Sequence, residues 1–374
     1  DPQEEPEFIK PYFGLRMFPV WHIGSNFLHE IAINWYNYLV DKGVKFEWNT
    51  EINFIDFKSN YIVGVYDNKN CDYNYDKLIF AVGKSGIDFA QKLADEYKLP
   101  DEPKSVQIGV RFEAPQKYFQ KLIDVSYDFK LYQKHYPKII FPEGKPEDEY
   151  KKEWEYLTGL DLNTIITQKQ EEHSVSIRSF CTNNNAAYVA VEETYGDITY
   201  NGHAKKGEEF RNNMTNFGIL MEIKGIEDPF TWSREVVQKC QIDVPQFKFK
   251  AGIYYSPNIT RNPSLTSEGN KVNSFQITHG EGGYNKIKEA FGGHFEYIEN
   301  FISDMNKVFE FGDDWGMYIP EVKYLSPEPL VNYDNLSLNQ YPNVHFVGDA
   351  LSARGITVSG AHGIYVAEAI IRGF

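Results

Sequence analysis

The chain alternates between helical and strand-like hydrophobic patterning. Phe27, Ile31, Trp35, Tyr38 and Leu39 recur at helical spacing, with Ser25 as N-cap and Gly43 as the C-terminal stop. Residues 44–48 read as a strand, and residues 1–13 as an extended acidic lead-in. Residues 52–57 and 61–66 are alternating or apolar runs with Asn60 as the turn signal between them, and 67–70 form another turn, so a β-meander is expected. Residues 76–83 form an apolar strand that stops at Gly83. A helix is predicted over 88–97 and a strand over 106–112, and Pro115 opens a short helix. Strand-like patterning resumes at 175–180, 187–192 and 218–223, with a polar stretch, 201–216, before the last of these. Phe295, Ile298, Phe301, Ile302, Met305 and Phe309 make the apolar face of a long helix. Near the C-terminus Val344-His345-Phe346-Val347 is a buried-strand pattern closing on Gly348-Asp349-Ala350, followed by Gly355-Ile356, Gly360-Ala361, Gly363 and an apolar helix.

This order predicts an α/β fold with an α+β insertion. One sheet is built from both ends of the chain, giving a first domain of residues 1–100 and 325–374 and an inserted mixed domain of 101–324. Within the insertion, 136–172 is charged and proline-bearing, and reads as a surface excursion with one short helix. No repeat at a solenoid period is present.

Composition narrows the function classes. The 374 residues include 26 Tyr and 27 Phe, which suit aromatic-rich cores more readily than aromatic pockets. A net charge of −15 opposes a broad nucleic-acid surface. Cys71, Cys181 and Cys240 include no CxxC pair, which argues against a disulfide framework and a structural zinc site. His279, His345 and His362 are too scattered for a metal site. No apolar run approaches the roughly 20 residues of a membrane span. A cytoplasmic location is expected, and the opening Asp1-Pro2-Gln3, without Met, leads us to expect a natural start elsewhere.

The candidate chemistry sits at the two glycine-ended strands. Glycine lets backbone approach a ligand closely, the Asp349 carboxylate accepts hydrogen bonds from hydroxyls, and a helix N-terminus offers free N–H groups to an anion. Each strand alone also fits an ordinary buried strand followed by a turn. Together they resemble the middle and C-terminal motifs of two-dinucleotide-binding-domain flavoproteins, with Val82 where that family's middle motif has Thr. Further blocks carry the resemblance: Pro11-Tyr12-Phe13, His22-Ile23-Gly24, Asp41 to Phe46, Gly83-Lys84-Ser85-Gly86, Ile108 to Gln116, Asp128 to Leu131, Arg178 to Cys181, and Asn201-Gly202. The chain is similar to uncharacterised bacterial FAD-dependent dehydrogenases over nearly its whole length.

The resemblance implies a discontinuous Rossmann-like FAD-binding domain, an inserted substrate domain, and hydride transfer between flavin and a small-molecule substrate. It implies FAD contacts from Gly348, Asp349, Ala350, Gly355, Ile356 and Gly360, and from Ala81 and Gly83. It also turns the 201–216 stretch toward flavin and substrate, where Arg211 could hold a carboxylate or an anionic flavin and His203 could act as acid or base; His203 also fits a plain surface loop. His362 would sit in the helix turn that faces the flavin. Two departures stand out. Cys181 is followed by Thr182-Asn183-Asn184 rather than the family's second Cys and Pro-Gly-Gly, so dithiol chemistry is in doubt and Cys181 is expected to be a small buried residue. The G-x-G-x-x-G unit that opens such proteins does not occur in this sequence. A non-catalytic binding module of flavoprotein shape, and one subunit of a split flavoenzyme whose partner or separate N-terminal segment supplies the phosphate-binding unit, are the alternatives. An uncovered sheet edge would favour the split enzyme and a closed one the module. A flavin-dependent RNA-modifying enzyme is disfavoured by the charge.

Overall fold

In a computed structural model, the described residues are 6–18, 22–83, 86–102, 106–135, 146–158, 162–163, 174–194, 197–241, 252–255, 265–267, 270–271, 281–324, 328–353 and 355–373. The fold is mixed α and β with several antiparallel sheets. Two compact units divide the chain, one from residues 1–31 and 105–323 and the other from 32–104 and 324–374. Elements are numbered along the whole chain.

The first unit is built on a seven-stranded antiparallel sheet. It uses β1 (Gly14–Phe18), β7 (Gln107–Pro115), β8 (Asp128–His135), β9 (Val175–Asn185), β12 (Met214–Ile223), β13 (Gly252–Tyr255) and β16 (Gly316–Lys323), in the order β1-β8-β9-β12-β7-β16-β13. Its central strands β7 and β12 are buried along nearly their whole length, so both faces of the sheet are covered. One face carries α7 (Phe295–Phe309), whose six predicted apolar residues are all buried. The other carries a smaller sheet of β10 (Ala187–Thr194), β11 (Asp197–Ala204), β14 (Leu265–Ser267) and β15 (Asn270–Lys271). Aromatic rings fill the α7 side. Phe119 is fully buried, with ring centroids 4.9 Å from Phe309, 5.4 Å from Phe217 and 6.2 Å from both Phe112 and Phe311. The unit also contains α3 (Gln120–Ile123), α4 (Glu147–Thr158), α5 (Pro229–Lys239) and α6 (Glu281–Phe291). Helix α4 is the short helix expected inside 136–172; most of the rest of that stretch lies outside the described residues.

The second unit holds a meander of β2 (Thr50–Asp56), β3 (Tyr61–Tyr66) and β4 (Lys69–Asn74); the first two are the expected strands, with Asn60 in the turn at φ 54°, whereas Lys69 and Asn70, expected in a turn, begin β4. A four-stranded sheet follows the order β18 (Val331–Asn332), β19 (Ser337–Leu338), β20 (Tyr341–Phe346), β5 (Leu78–Phe80). The short strands β6 (Asp101–Glu102) and β17 (Glu328–Pro329) pair with each other. Helices α2 (Ile87–Tyr97) and α8 (Ile356–Ile371) complete the unit. Its core gathers Ile55, Phe57, Phe80, Leu93, Phe346 and Val366.

Four local expectations are corrected. Residues 44–48 are not a strand: the N–H groups of Gly43 and Val44 donate to Val40 and Leu39 carbonyls, closing α1 (Leu28–Asp41), and Phe46 and Trp48 stack 5.9 Å apart instead. Residues 7–12 form turns rather than an extended lead-in, because Ile9 and Phe13, four apart, are both buried. Ser25 does not cap α1; it opens a 3-10 turn ahead of it. The boundary between the units falls inside α1, and that helix buries none of its residues: Trp35 stays 62% exposed on the stripe expected to pack.

Two predictions follow from the cores. Phe119→Ala removes the ring that joins strands to α7 and is expected to lower stability by about 3–5 kcal/mol in urea unfolding. His345 is fully buried in β20, its Nδ1 lies 3.0 Å from the Asn335 carbonyl oxygen, and Nε2 has no hydrogen-bond partner among the described residues. Burial holds its pKa below the ordinary histidine value, more strongly than the Asn335 contact raises it. The unfolded chain therefore takes up this proton first as pH falls through about 6.5, and stability drops with it. The urea midpoint should fall between about pH 7.5 and 5.5, less steeply in His345→Gln.

Candidate functional site

In the second unit, β5 and β20 pair in parallel, with Val344 opposite Leu78, His345 opposite Ile79 and Phe346 opposite Phe80. Val347 N–H donates to the Phe80 carbonyl at 3.1 Å, the last rung before both chains turn away. Ala81 and Gly83 follow one strand; Gly348, Asp349 and Ala350 follow its neighbour in a 3-10 turn. Both turn glycines have φ 63°, a left-handed conformation that an L side chain adopts only at a cost. The predicted residues after the two strands therefore fall at the same ends of one parallel pair. Helices begin after both turns, α2 behind Gly86 and α8 behind Gly355, and neither has a side-chain cap. The first-turn N–H groups of each helix lack the side-chain acceptor that usually satisfies one of them.

The start of α8 is uncovered. A Cβ added at Gly83, Gly355 or Gly360 would meet nothing within 4 Å, whereas one at Gly348 would meet the Ser359 hydroxyl at 3.2 Å. Ile356 is 75% exposed. Gly348 and Ala350 are buried, and Asp349 is half-buried beside them. His362, one turn further along α8, is half-buried, and its Nδ1 has no hydrogen-bond partner among the described residues.

The other two candidate residues lie in the first unit. The stretch 201–216 is not a loop throughout: Asn201 and His203 are on β11, Asn216 is on β12, and Arg211 follows a 3-10 turn. His203 Nδ1 is 3.3 Å from Ser25 Oγ, Nε2 is 3.9 Å from Glu192, and its ring stacks on Tyr188 at 5.5 Å. Arg211 is exposed and pairs with Glu208 at 2.5 Å.

Sequence patterning gave no warning of a buried polar network in the same unit. Arg111 on β7 is fully buried, and its Nη2 donates to Glu321 at 2.6 Å and Asn201 Oδ1 at 3.3 Å. Its Nη1 donates to the Cys181 carbonyl at 2.9 Å and Asn216 Oδ1 at 3.4 Å. Asn201 Nδ2 donates onward to Glu192 at 2.9 Å, so the network reaches His203. Burial pushes the Glu321 carboxyl above its ordinary range, against the opposing pull of Arg111. Cys181, expected to be buried, is half-buried at φ 50°, with its carbonyl oxygen turned to the guanidinium.

The three cysteines are free, and no cluster of His, Cys, Asp and Glu among the described residues could hold a metal. None of the described helices is long and apolar enough to cross a membrane. No family model matches the sequence, and no curated protein matches it either.

The Arg111–Glu321 pair makes a separable prediction. Arg111→Met strands a buried carboxylate and is expected to cost about 3–5 kcal/mol in urea unfolding. Arg111→Met combined with Glu321→Met should recover most of that loss, because no unpaired charge is then left inside.

Proposed function

We propose that the chain is an FAD-dependent oxidoreductase, with the cofactor held at the ends of β5 and β20. The observation that carries this reading is the convergence of Gly83, Gly348–Asp349 and the uncapped start of α8 beside one parallel pair. Ligands of open α/β sheets bind outside the carboxyl ends of parallel strands. The residues fit the group in three respects. The backbone at Gly83 and Gly355 is open to close approach. Asp349 supplies an acceptor for polyol hydroxyls, and the α8 N–H groups suit a phosphate or the electron-rich edge of a flavin. Ala81, Ala350, Ile356 and Gly360 would form the walls.

A bound flavin would accept or release hydride at N5, so no protein side chain need do covalent work. His362 on α8 would then serve to position the cofactor or to move a proton beside it.

A second reading is favoured by one observation. Among the described residues β5 pairs only with β20, and Ile79 on it is 44% exposed. An open edge of a parallel pair favours a split enzyme, in which a second polypeptide segment adds a strand there and brings the phosphate-binding glycines. A non-catalytic module would have closed that edge.

The visible absorption spectrum tests these readings. The purified chain, or the chain after FAD is added and the unbound cofactor removed by gel filtration, should show flavin bands, and Asp349→Ala should weaken FAD binding about tenfold or more. Flavin bands that form only when a glycine-rich βαβ segment is supplied with FAD would select the split enzyme. No flavin uptake under any of these conditions overturns the oxidoreductase reading.

A further inference from the structure

The first unit contains an open cavity of about 410 Å³ that includes none of the residues expected to hold FAD at the ends of β5 and β20, and does include Arg211, expected to hold a carboxylate or an anionic flavin. His22, Tyr127, Lys205, Lys206, Glu208 and Arg211 are on its wall. Its volume falls in the range of small-molecule sites.

The charge of this wall is set by local pairing. Arg211 and Glu208 neutralise each other across 2.5 Å. Among the described residues no carboxylate pairs with Lys205 or Lys206. The Lys205 ammonium instead lies 4.9 Å from the Phe210 ring centroid and 5.4 Å from that of Tyr188. Lys206 is fixed by a reciprocal pair of hydrogen bonds, its N–H donating to Asn26 Oδ1 at 2.8 Å and its carbonyl accepting from Asn26 Nδ2 at 3.1 Å. Lys205 and Lys206 are thus both on the wall of this cavity, in a chain whose net charge is −15.

The remaining wall adds neutral donors and a flat surface. His22 Nδ1 accepts the Gly24 N–H at 3.1 Å, which leaves the ring proton on Nε2. Burial, and then the nearby Lys206, keep His22 neutral by lowering its pKa. Tyr127 is kept protonated by burial, and its ring stacks on His22 at 5.4 Å and 28°. Cations and a stacked ring pair on one wall, with the Lys206 ammonium 3.4 Å from the His22 carbonyl oxygen, suit a ligand with an anionic oxygen group and a flat or compact body.

We propose that this cavity binds a small molecule through a carboxylate or phosphate group held by Lys206 and Arg211, with its body against the His22–Tyr127 ring pair. Binding exchanges the Arg211–Glu208 surface pair, which is worth little in water, for a charge-assisted contact inside the cavity. The inference does not depend on the flavin reading, since every residue it uses is in the first unit.

The test is isothermal titration calorimetry of the full chain with benzoate and, separately, inorganic phosphate, at low ionic strength. Saturable one-to-one binding of at least one anion is expected, weakened about tenfold by Lys206→Gln and by Arg211→Gln and unchanged by Lys121→Gln. Both Lys206 and Arg211 are exposed, so these variants should fold, and thermal melts check that they do. Tighter benzoate binding would identify an organic carboxylate as the ligand class; tighter phosphate binding would identify a phosphorylated one. No saturable heat with either anion, or binding unchanged in both cavity variants, overturns the proposal. The second of those results would place the anion elsewhere, including the α8 N-terminus, and leave the flavin reading untouched.

Discussion

A guanidinium cut off from water dictates the arrangement around it, and in the first unit that guanidinium is Arg111. It sits on a strand covered on both faces, where its charge must be met by protein groups or not at all. Two irregularities meet it. Between β7 and β16 the register shifts so that Tyr318 opposes Arg111 while Glu321 opposes Gly109. With strict alternation, residues three apart point to opposite faces; the shift puts Glu321 on the Arg111 face. Between β12 and β9 the register shifts again, and Cys181 takes a left-handed conformation within the shift. Its carbonyl leaves the ladder and accepts from Arg111. Glycines complete the fit: a Cβ at Gly202 would lie 2.5 Å from Nη1 of Arg111, and one at Gly218 would lie 2.9 Å from the Glu321 carboxylate. The bulges and small residues are consistent with one cause, the need to surround a buried ion pair.

The second unit faces the reverse constraint. Its parallel pair has apolar patterning suited to burial, yet β5 has three residues and an uncovered edge among the described residues. Parallel strands ordinarily lie inside a sheet with both faces covered. The same uncovering is seen on α8, which buries Val366 and Ala369 but leaves Ile356 and Ile364 exposed. Apolar surface of this kind is stabilised when something covers it, at about 25 cal/mol per Å². A planar cofactor covers a few residues; a docked strand and helix cover many. Exposed Ile79, Ile356 and Ile364 are the kind of surface that the docked strand and helix of the proposed split arrangement would cover.

Where sequence periodicity was strong, the elements were legible. Helix α7 and the strand 61–66 have the boundaries their patterns imply, because each has a covered face or a clear turn residue, whereas β4 starts at Lys69 inside the expected 67–70 turn. The glycine-ended strands were legible as turns, since φ 63° at Gly83 and Gly348 is what a glycine there suggests. The rest was hidden for identifiable reasons. Helix α1 has a good apolar stripe but buries nothing, so its pattern reported a capacity rather than a contact. Residues 44–48 look like a strand because β-branched and aromatic residues also suit a helix terminator followed by an aromatic cluster. The ion pair joins residues 210 positions apart, and the bulge that aligns them changes the parity on which strand reading relies. Of the candidate side chains, Arg211 and His203 were visible as residue types; the Lys206 and His22 that stand near them were not, since His22 comes from a segment 184 positions away.

The two anion sites proposed for this chain would be built by different physics, and that difference explains their visibility in the sequence. The α8 start uses backbone: N–H groups without a capping acceptor, and glycines that keep side chains out of the way. Such a site leaves a trace in the order of glycines. The cavity uses side-chain cations whose compensation depends on which carboxylates lie within reach. At physiological salt a charge is screened over about 8 Å, so the total of −15 governs long-range encounters and says little about a wall carrying two lysines. Net charge bears on a broad polyanion surface, and it is the wrong scale on which to judge the pocket proposed here for one oxyanion.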